Sequence, residues 1–172
     1  MGNYKRLYIE GSCYFFTVVT KNRENILTTP KSIEILRKSF SSIKRDRPFI
    51  INAIVVLPDH LHCIWTLPKD DSDFSNRWKI IKGNYTRSIN RIAGRNNARS
   101  VWQPRFWEHR IRDENDYLNH VNYIHFNPVK HQYVENPADW LFSSFHAFVK
   151  EGYYEIGWGN SISNEVMKMN FE

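Results

Sequence analysis

Two histidines separated by a single residue are the first side chains in this sequence whose spacing suits metal chemistry. His60 and His62 lie in the apolar segment of residues 60–67, which predicts a strand. Because side chains alternate across a strand, the two imidazoles would share one face, about 7 Å apart along the chain, with Leu61 and Cys63 turned into the core. Such a pair could chelate one metal ion, or could make ordinary hydrogen bonds at the end of a sheet.

A tyrosine and an asparagine four residues apart form the second candidate pair. A helix is predicted from about Asp113 to Asn127, where Pro128 ends it. With about 100° of rotation per residue, Tyr123 and Asn127 share a face that the core does not need, and His120 lies beside them. The same face would also suit an exposed tyrosine and a terminal asparagine cap. The apolar arc of this helix consists of Tyr117, Leu118, Val121 and Ile124.

Both pairs together predict a chemistry that neither predicts alone. A metal held by two imidazoles and one amide oxygen keeps coordination positions open for a phosphate, whose phosphorus–oxygen bond it can polarise. A tyrosine hydroxyl, with an ordinary pKa of about 10, is a poor nucleophile until a nearby cation favours its phenolate. Attack of Tyr123 on a DNA phosphate would give a phosphotyrosine and a 3′-hydroxyl. Since the phosphotyrosine bond conserves the energy of the cleaved phosphodiester, a second DNA strand could be joined later without ATP.

The elements that must position these residues follow from the apolar pattern and from the residues that interrupt it. Strands are predicted for residues 13–20, 49–57, 60–67 and 105–113. Helices are predicted from Pro30 to about Arg45, from about Asp73, and over the segment that carries Tyr123; residues 94–104 form a loop. The C-terminal part is expected to be irregular with one short helix. This pattern predicts one α+β domain, residues 1–155, with an antiparallel sheet, helices packed on it and a tail of residues 156–172.

A basic stretch rich in aromatic residues indicates a nucleic-acid partner. Residues 77–112 contain ten basic residues and one acid, Glu108, with five aromatic rings interleaved. Guanidinium groups for phosphates beside rings for bases suit single-stranded DNA, although a solvated helix face above core aromatics would give the same composition. The residues expected to contact the DNA backbone are Arg77, Lys79, Lys82 and Arg87, and those expected nearer the cleavage site are Arg105, Trp107 and Arg110.

Composition excludes several other classes of protein. The chain has 172 residues, 41% of them hydrophobic and 15% aromatic, which argues against global disorder, and its net charge is +6. No apolar run reaches the roughly 18 residues of a membrane span, and the N-terminus lacks the pattern of a signal peptide. Cys13 and Cys63 are too few for a disulfide framework and are expected to be buried thiols. We therefore expect a cytoplasmic protein that associates with the nucleoid through DNA.

Three segments resemble the REP-associated tyrosine transposases, relatives of the single-tyrosine HUH transposases of small, IS200-like insertion sequences. The segments are LPDHLHCIW, RFWEHRIRDENDYLNHVNYIHFNPVKH and DWLFSSFH. They occur in the order typical of the family, and the resemblance extends from FFTVVT to about Gly152. One departure is Gln132, which stands where many members have glycine.

This resemblance implies a fold, a mechanism and a substrate. The fold would be a ferredoxin-like antiparallel sheet in which His60 and His62, the HUH pair, bind metal from a central strand. Tyr123 would be the nucleophile, forming a 5′-phosphotyrosine, and Asn127 the third ligand of a Mg²⁺ or Mn²⁺ ion. The substrates would be single-stranded hairpins, the repetitive extragenic palindromes, with a short tetranucleotide at the foot. Insertion-sequence relatives work as dimers that share the tyrosine helix, whereas members of this branch are able to act as monomers, so the resemblance leaves both monomer and homodimer open.

Two other functions fit the same residues. The chain could be a module that only binds hairpins, although four intact site residues argue against a disused site. It could also be a metal-dependent phosphodiesterase that uses activated water, with Tyr123 merely structural. Formation of a covalent protein–DNA product would distinguish the transposase from both of these alternatives. Among the remaining histidines, His120 could tune the site as a neighbour of Tyr123, whereas His109 and His125 are expected to be structural.

Overall fold

Four antiparallel strands form one sheet in the centre of the molecule. The computed structural model describes residues 6–95, 99–159, 162 and 164–171. The strands are β1 (Cys13–Val19), β2 (Ile50–Val56), β3 (His60–Thr66) and β4 (Trp107–Arg110), in the order β2-β3-β1-β4. The helices are α1 (Pro30–Asp46), α2 (Phe74–Ile92), α3 (Glu114–Lys130), α4 (Phe145–Lys150) and α5 (Asn164–Lys168). No helix in the described part combines the length and apolar character needed to cross a bilayer.

The register of the two central strands decides where the histidines point. β3 lies between β2 and β1, with His62 opposite Thr17 and His60 opposite Val19. Leu61 and Cys63 are fully buried on the other face, in the core beneath α1 and α2. The alternation predicted from the sequence is therefore confirmed, and both imidazoles lie on the face that α3 covers.

Helices α1 and α2 follow the sequence pattern closely. Pro30 starts α1 after Thr29, whose hydroxyl accepts from the Ser32 amide, and Asp73 caps α2 in the same manner. Their apolar stripes pack against the sheet, and Trp78 of α2 stacks on Trp65 of β3 with 4.3 Å between ring centroids. This layer fixes the back of β3 and thereby the orientation of its histidines.

The end of α3 differs from the prediction. The start is as expected, since the Asp113 carboxylate accepts from the Asp116 amide at 2.9 Å. The helix nevertheless continues through Pro128 to Lys130, and the His131 amide still bonds the Asn127 carbonyl at 3.0 Å. A proline so near a C-terminus removes one helical hydrogen bond but leaves the following turn intact.

Burial of α3 and β2 also differs from the prediction. Val121 and Ile124 of the expected apolar arc are buried, but Leu118 of that arc is 47% exposed and the Tyr123 face is buried against the sheet as well. The reason is that α3 lies on the histidine face of the sheet, so its mixed polar face is packed together with Val121 and Ile124. Ile50 at the start of β2 is 61% exposed because β2 is an edge strand.

The chain leaves α3 through a left-handed residue. Gln132 has φ +60°, a conformation that glycine adopts more readily than other residues. Its amide bonds the Val129 carbonyl at 2.9 Å, which closes the helix. Gln132, which stands where many members of the resembled family have glycine, therefore lies at a position where the backbone favours glycine.

Candidate active site

Hydrogen bonds fix the orientation of both histidine rings. The Nδ1 atom of His60 lies 2.6 Å from Asp59 Oδ1, and Nδ1 of His62 lies 2.9 Å from Thr17 Oγ1. Both rings are fully buried, and their centroids are 4.9 Å apart. A metal-binding histidine commonly donates a hydrogen bond from its second ring nitrogen to a carboxylate or another oxygen. Because Nδ1 has this role here, Nε2 would be the ligand atom of each ring.

A carboxylate and an arginine support His60 from behind. Asp59 accepts from Arg23 at 2.9 Å as well as from His60. Burial raises the pKa of Asp59, but the bonds to His60 and Arg23 outweigh it and lower the value to about 2. Asp59 is thus a carboxylate at neutral pH, and it increases the basicity of the His60 ring.

Tyr123 of α3 lies directly against the histidines. Its ring centroid is 5.2 Å from that of His62, with the planes at 67°. The Lys130 ammonium donates to the Tyr123 hydroxyl at 3.4 Å and lies 4.8 Å from the ring centroid. A cation at this position favours the phenolate over the phenol.

Asn127 occupies the middle of the helix face that meets the histidines. Tyr123, one turn before it, contacts His62, and His131, one turn after it, has its ring 5.2 Å from that of His60. Asn127 is fully buried, and neither atom of its side-chain amide makes a hydrogen bond within the described residues. A buried amide without a partner costs stability, so its position on this face, between Tyr123 and His131, fits an oxygen ligand for a metal ion.

Lys130, His131 and Asp59 were missed as site residues by the sequence argument, although all three lie in the segments that carry the family resemblance. The spacing of Tyr123, Asn127 and His131 at four-residue intervals was the available signal. The expected helix end at Pro128 hid it, because residues after a helix end have no predictable face.

A second group of three residues could also hold a metal ion. Ligand atoms of His109, Asp116 and His120 all lie within 4.8 Å of one another. The Oδ2 atom of Asp116 already has three partners within the protein. It lies 2.8 Å from His109 Nε2 and accepts from the backbone amide and the Nε of Arg112 at 2.9 and 3.1 Å. The Nδ1 atom of His120 bonds the backbone carbonyl of Asp116 at 2.7 Å. Burial lowers the pKa of the His120 ring. These contacts describe an ion-pair network that anchors the first turns of α3 to β4.

His125, on the same helix as Tyr123, faces away from the histidine pair. It is fully buried and contacts Ser144 Oγ at 2.7 Å and the Tyr154 hydroxyl at 3.2 Å. Burial lowers its pKa to about 3, so the ring is neutral. These contacts give His125 a structural role, in agreement with the expectation from sequence.

The C-terminal segment covers Tyr123. The Phe171 ring lies 5.2 Å from the Tyr123 ring, and the Met169 carbonyl accepts from Lys130 at 2.9 Å. Together with the contacts to Phe15 and His62 of the sheet, these contacts leave Tyr123 1% exposed.

Arg77 is a correction to the predicted DNA-binding set. Its side chain is fully buried, and its guanidinium binds both carboxylate oxygens of Asp71, at 3.0 and 2.6 Å. It also donates to the carbonyls of Arg47, Pro48 and Asp73. With its donors turned inward, Arg77 holds the start of α2 to the loops beside it and has no surface for a phosphate.

The other predicted contact residues reach the surface to different degrees. Lys79, Arg87, Arg105 and Trp107 are exposed, whereas Lys82 and Arg110 are half-buried. Lys82 donates to the Gln103 carbonyl at 2.7 Å, and burial lowers its pKa to about 8. Trp107 has its ring 5.8 Å from that of Phe15, which in turn contacts Tyr123, so it lies on the tyrosine side of the sheet.

The chain is similar to known proteins over most of its length. The family model described as "Transposase IS200 like" matches residues 9–126. A REP-associated tyrosine transposase of Escherichia coli K12 is 48% identical over 164 residues, covering 95% of this chain and 94% of that protein. A relative in Haemophilus influenzae is 39% identical over 168 residues, covering 94% and 95%.

A solved structure extends the comparison to three dimensions. The structure of a REP-associated tyrosine transposase bound to a REP hairpin superposes with a TM-score of 0.83 at 47% identity, covering 95% of this chain and 94% of that one. Its α+β architecture matches the four-stranded antiparallel sheet and helices described above. The chain therefore belongs to the REP-associated tyrosine transposases of the IS200-like family.

Proposed function

We propose that this protein is a metal-dependent endonuclease and transposase that cleaves and rejoins single-stranded DNA at palindromic hairpins, with Tyr123 as the nucleophile. The observation that carries the proposal is the placement of one face of α3 on β3: Tyr123 contacts His62, His131 contacts His60, and Asn127 lies between them. This packing supports a site to which a nucleophile and three metal ligands would come from elements distant in sequence.

The residues have separate roles in the proposed reaction. His60, His62 and Asn127 would hold Mg²⁺ or Mn²⁺, and the ion would supply Lewis-acid polarisation of the scissile phosphate. The Tyr123 oxygen attacks phosphorus, the 5′-phosphoryl group becomes bound to the tyrosine, and the 3′-oxygen departs as a hydroxyl. Lys130 favours the phenolate of Tyr123, and Asp59 and Thr17 keep the two imidazoles oriented. Reversal of the step by a different 3′-hydroxyl would rejoin DNA.

Hairpin DNA is the proposed partner, because a 47% identical relative has been solved with a REP hairpin bound. Lys79, Lys82, Arg87, Arg105, Trp107 and Arg110 are the proposed contact residues. Element order and sheet order support the ferredoxin-like class, with the histidine strand at the centre. We further propose residues 1–155 as the catalytic domain, residues 156–172 as a C-terminal tail that packs on it, and a monomer or homodimer that acts on DNA in the cytoplasm.

The proposal can be tested with labelled single-stranded oligonucleotides that carry palindromic repeats found beside the gene. The protein is incubated with each oligonucleotide in Mn²⁺, in Mg²⁺ or in EDTA, and products are separated on a denaturing gel. We expect metal-dependent cleavage next to the hairpin, and none when the stem is scrambled. Binding without cleavage would favour a recognition module, and cleavage without any covalent adduct would favour a phosphodiesterase that uses activated water.

A further inference from the structure

The ring of Phe171 occupies a slot built from aromatic side chains of the catalytic domain. It lies nearly parallel to Trp107, with 4.8 Å between centroids and 22° between planes, and nearly parallel to His120, at 5.0 Å and 18°. Phe15 and Tyr123 meet the same ring at larger angles, with centroids 5.3 and 5.2 Å away. One flat ring thus touches four others, two of them face to face.

This slot lies at the surface and has room beside it. Trp107 is 37% exposed on β4, an edge strand of the sheet, which is unusual for a large aromatic ring with a packing role. A cavity of about 280 Å³ adjoins Phe171 and is also lined by Trp107, Arg112 and Asn119. The slot could therefore accept a flat group larger than a phenyl ring, with hydrogen-bond donors at its edge.

We propose that this slot binds a nucleobase of the DNA strand, that of a nucleotide adjoining the scissile phosphate, and that Phe171 occupies the place of this base in the structure described here. The inference rests on the proposed function, since it takes Tyr123 as the residue that receives the phosphate. Any of the four bases can stack on an aromatic ring, and Trp107 offers the largest ring in the slot. Tyr123 forms one wall, so a base in the slot has its own phosphate next to the tyrosine.

Two consequences follow from this placement. The base and Phe171 compete for one slot, so removal of the phenyl ring strengthens binding of the base. Loss of the Trp107 ring weakens binding, by about 5-fold to 150-fold if stacking at this position has its usual strength. Neither change alters the hairpin contacts on α2, which lie elsewhere on the protein.

The test uses hairpin oligonucleotides in which single bases flanking the cleavage position are replaced, one at a time, by the fluorescent base 2-aminopurine. The full-length protein carries Tyr123→Phe, so that the DNA stays intact. Stacking quenches 2-aminopurine, and we expect quenching at one position next to the scissile phosphate. Adding Phe171→Ala should lower the DNA concentration needed for half-maximal quenching, and Trp107→Leu should abolish quenching at this position. Tyr153→Ala, which removes an exposed ring outside the slot, is the matched control and should change neither value.

The proposal is overturned if no flanking position is quenched, or if Phe171→Ala and Trp107→Leu leave the quenching as it was. Should Trp107→Leu fail to fold, as judged by its thermal unfolding, Phe171→Ala decides alone, because the C-terminal ring is not needed to complete the sheet. Failure here is distinguishable from failure of the proposed function. In the first case the wild-type protein still forms a covalent adduct with DNA and only the base effect is missing; in the second no adduct forms.

Discussion

The ring of Tyr123 packs against the ring of His62, with centroids 5.2 Å apart and planes at 67°. This contact joins α3 to the central strand β3 and places the only proposed nucleophile beside a proposed metal ligand. It depends on the alternation of β3, which turns His62 toward α3 and Cys63 away from it. A shift of β3 by one residue would exchange these two side chains and destroy the site.

Lys130 should control how readily Tyr123 reacts. Its ammonium lies 3.4 Å from the tyrosine hydroxyl, and a cation at this range favours the ionised form of an acid by about tenfold or more. We expect Lys130→Met to slow adduct formation at neutral pH by roughly tenfold or more, with the deficit shrinking at higher pH, where the phenolate forms without help. Single-turnover rates across pH measure this effect.

Two variants complete this test. Lys130→Arg should restore part of the rate because the charge is kept, and Lys150→Met, which removes an exposed lysine of α4, should leave it unchanged. If Lys130→Met gives the same rate as the wild-type protein at every pH, the lysine has no part in activating the tyrosine.

Asn127 should matter for metal binding and not for the stability of the metal-free fold. Its buried amide makes no hydrogen bond within the described residues, so Asn127→Leu should cost little stability in EDTA. Saturation with Mn²⁺ at about 100 times the dissociation constant should stabilise the wild-type protein by about 2.7 kcal/mol. We expect Asn127→Leu to weaken Mn²⁺ binding by about tenfold or more, measured by thermal unfolding across a Mn²⁺ titration.

Asn122→Leu provides the opposite control on the same helix. The Asn122 amide oxygen accepts from the Tyr154 hydroxyl at 2.8 Å, so this variant should lose stability and keep the full response to Mn²⁺. An Asn127→Leu protein that unfolds earlier in EDTA yet responds to Mn²⁺ like the wild type would assign the amide a structural role.

The sequence predicted the parts of the site that depend on local periodicity. The alternation of β3 and the four-residue spacing of Tyr123 and Asn127 follow from the geometry of a strand and a helix. It could not predict that α3 would continue past Pro128, since a proline more often ends a helix than lies in its last turn. Lys130 and His131 were therefore not assigned to the site.

The burial of Arg77 was also beyond a sequence argument. Nothing in the basic stretch distinguishes this arginine from Lys79 or Arg87. The difference comes from the Asp71 carboxylate and from the carbonyls of Arg47 and Pro48, which reach the start of α2 only in the folded protein. A cluster of basic residues in the sequence predicts a positively charged surface. Hydrogen bonds between residues distant in sequence decide which of these side chains are actually exposed on it.

Arg77 should therefore affect stability. Only the Arg77 side of its ion pair with Asp71 is buried, so Arg77→Met should destabilise the protein by about 1 to 3 kcal/mol, mainly because the carbonyls of Arg47, Pro48 and Asp73 lose their donor. Hydrogen bonds from Arg77 lower the pKa of Asp71 more than partial burial raises it. A lowered pKa contributes stability that is present above the unfolded value of about 3.9 and is lost as pH falls below it.

Urea unfolding at several pH values tests this prediction. Asp71→Asn should be less stable than the wild type at neutral pH, and the difference should shrink as pH falls below about 4, first through the unfolded and then through the lower folded pKa of Asp71. Lys79→Met, an exposed neighbour on α2, should have wild-type stability. An Arg77→Met protein as stable as the wild type would contradict the structural role.

The exposed basic residues of α2 should determine the salt dependence of DNA binding. If about five phosphates are neutralised, log K should fall with log salt at a slope of about −3.5 for single-stranded DNA. Replacing Lys79 and Arg87 together by methionine should change this slope to about −2.1, because each phosphate contact contributes about 0.7. Titrations of a labelled hairpin at several salt concentrations measure the slope, and an unchanged value would place the DNA elsewhere on the protein.

The central claim is that Tyr123 becomes covalently bound to DNA in a metal-dependent step. The most direct measurement digests the protein after reaction with a hairpin substrate and identifies the modified peptide by mass spectrometry. We predict a nucleotide on Tyr123 when Mn²⁺ is present, no adduct in EDTA or with Tyr123→Phe, and a normal adduct with Tyr117→Phe, a matched change on the same helix. DNA cleavage by the Tyr123→Phe protein, or an adduct on another residue, would contradict the account.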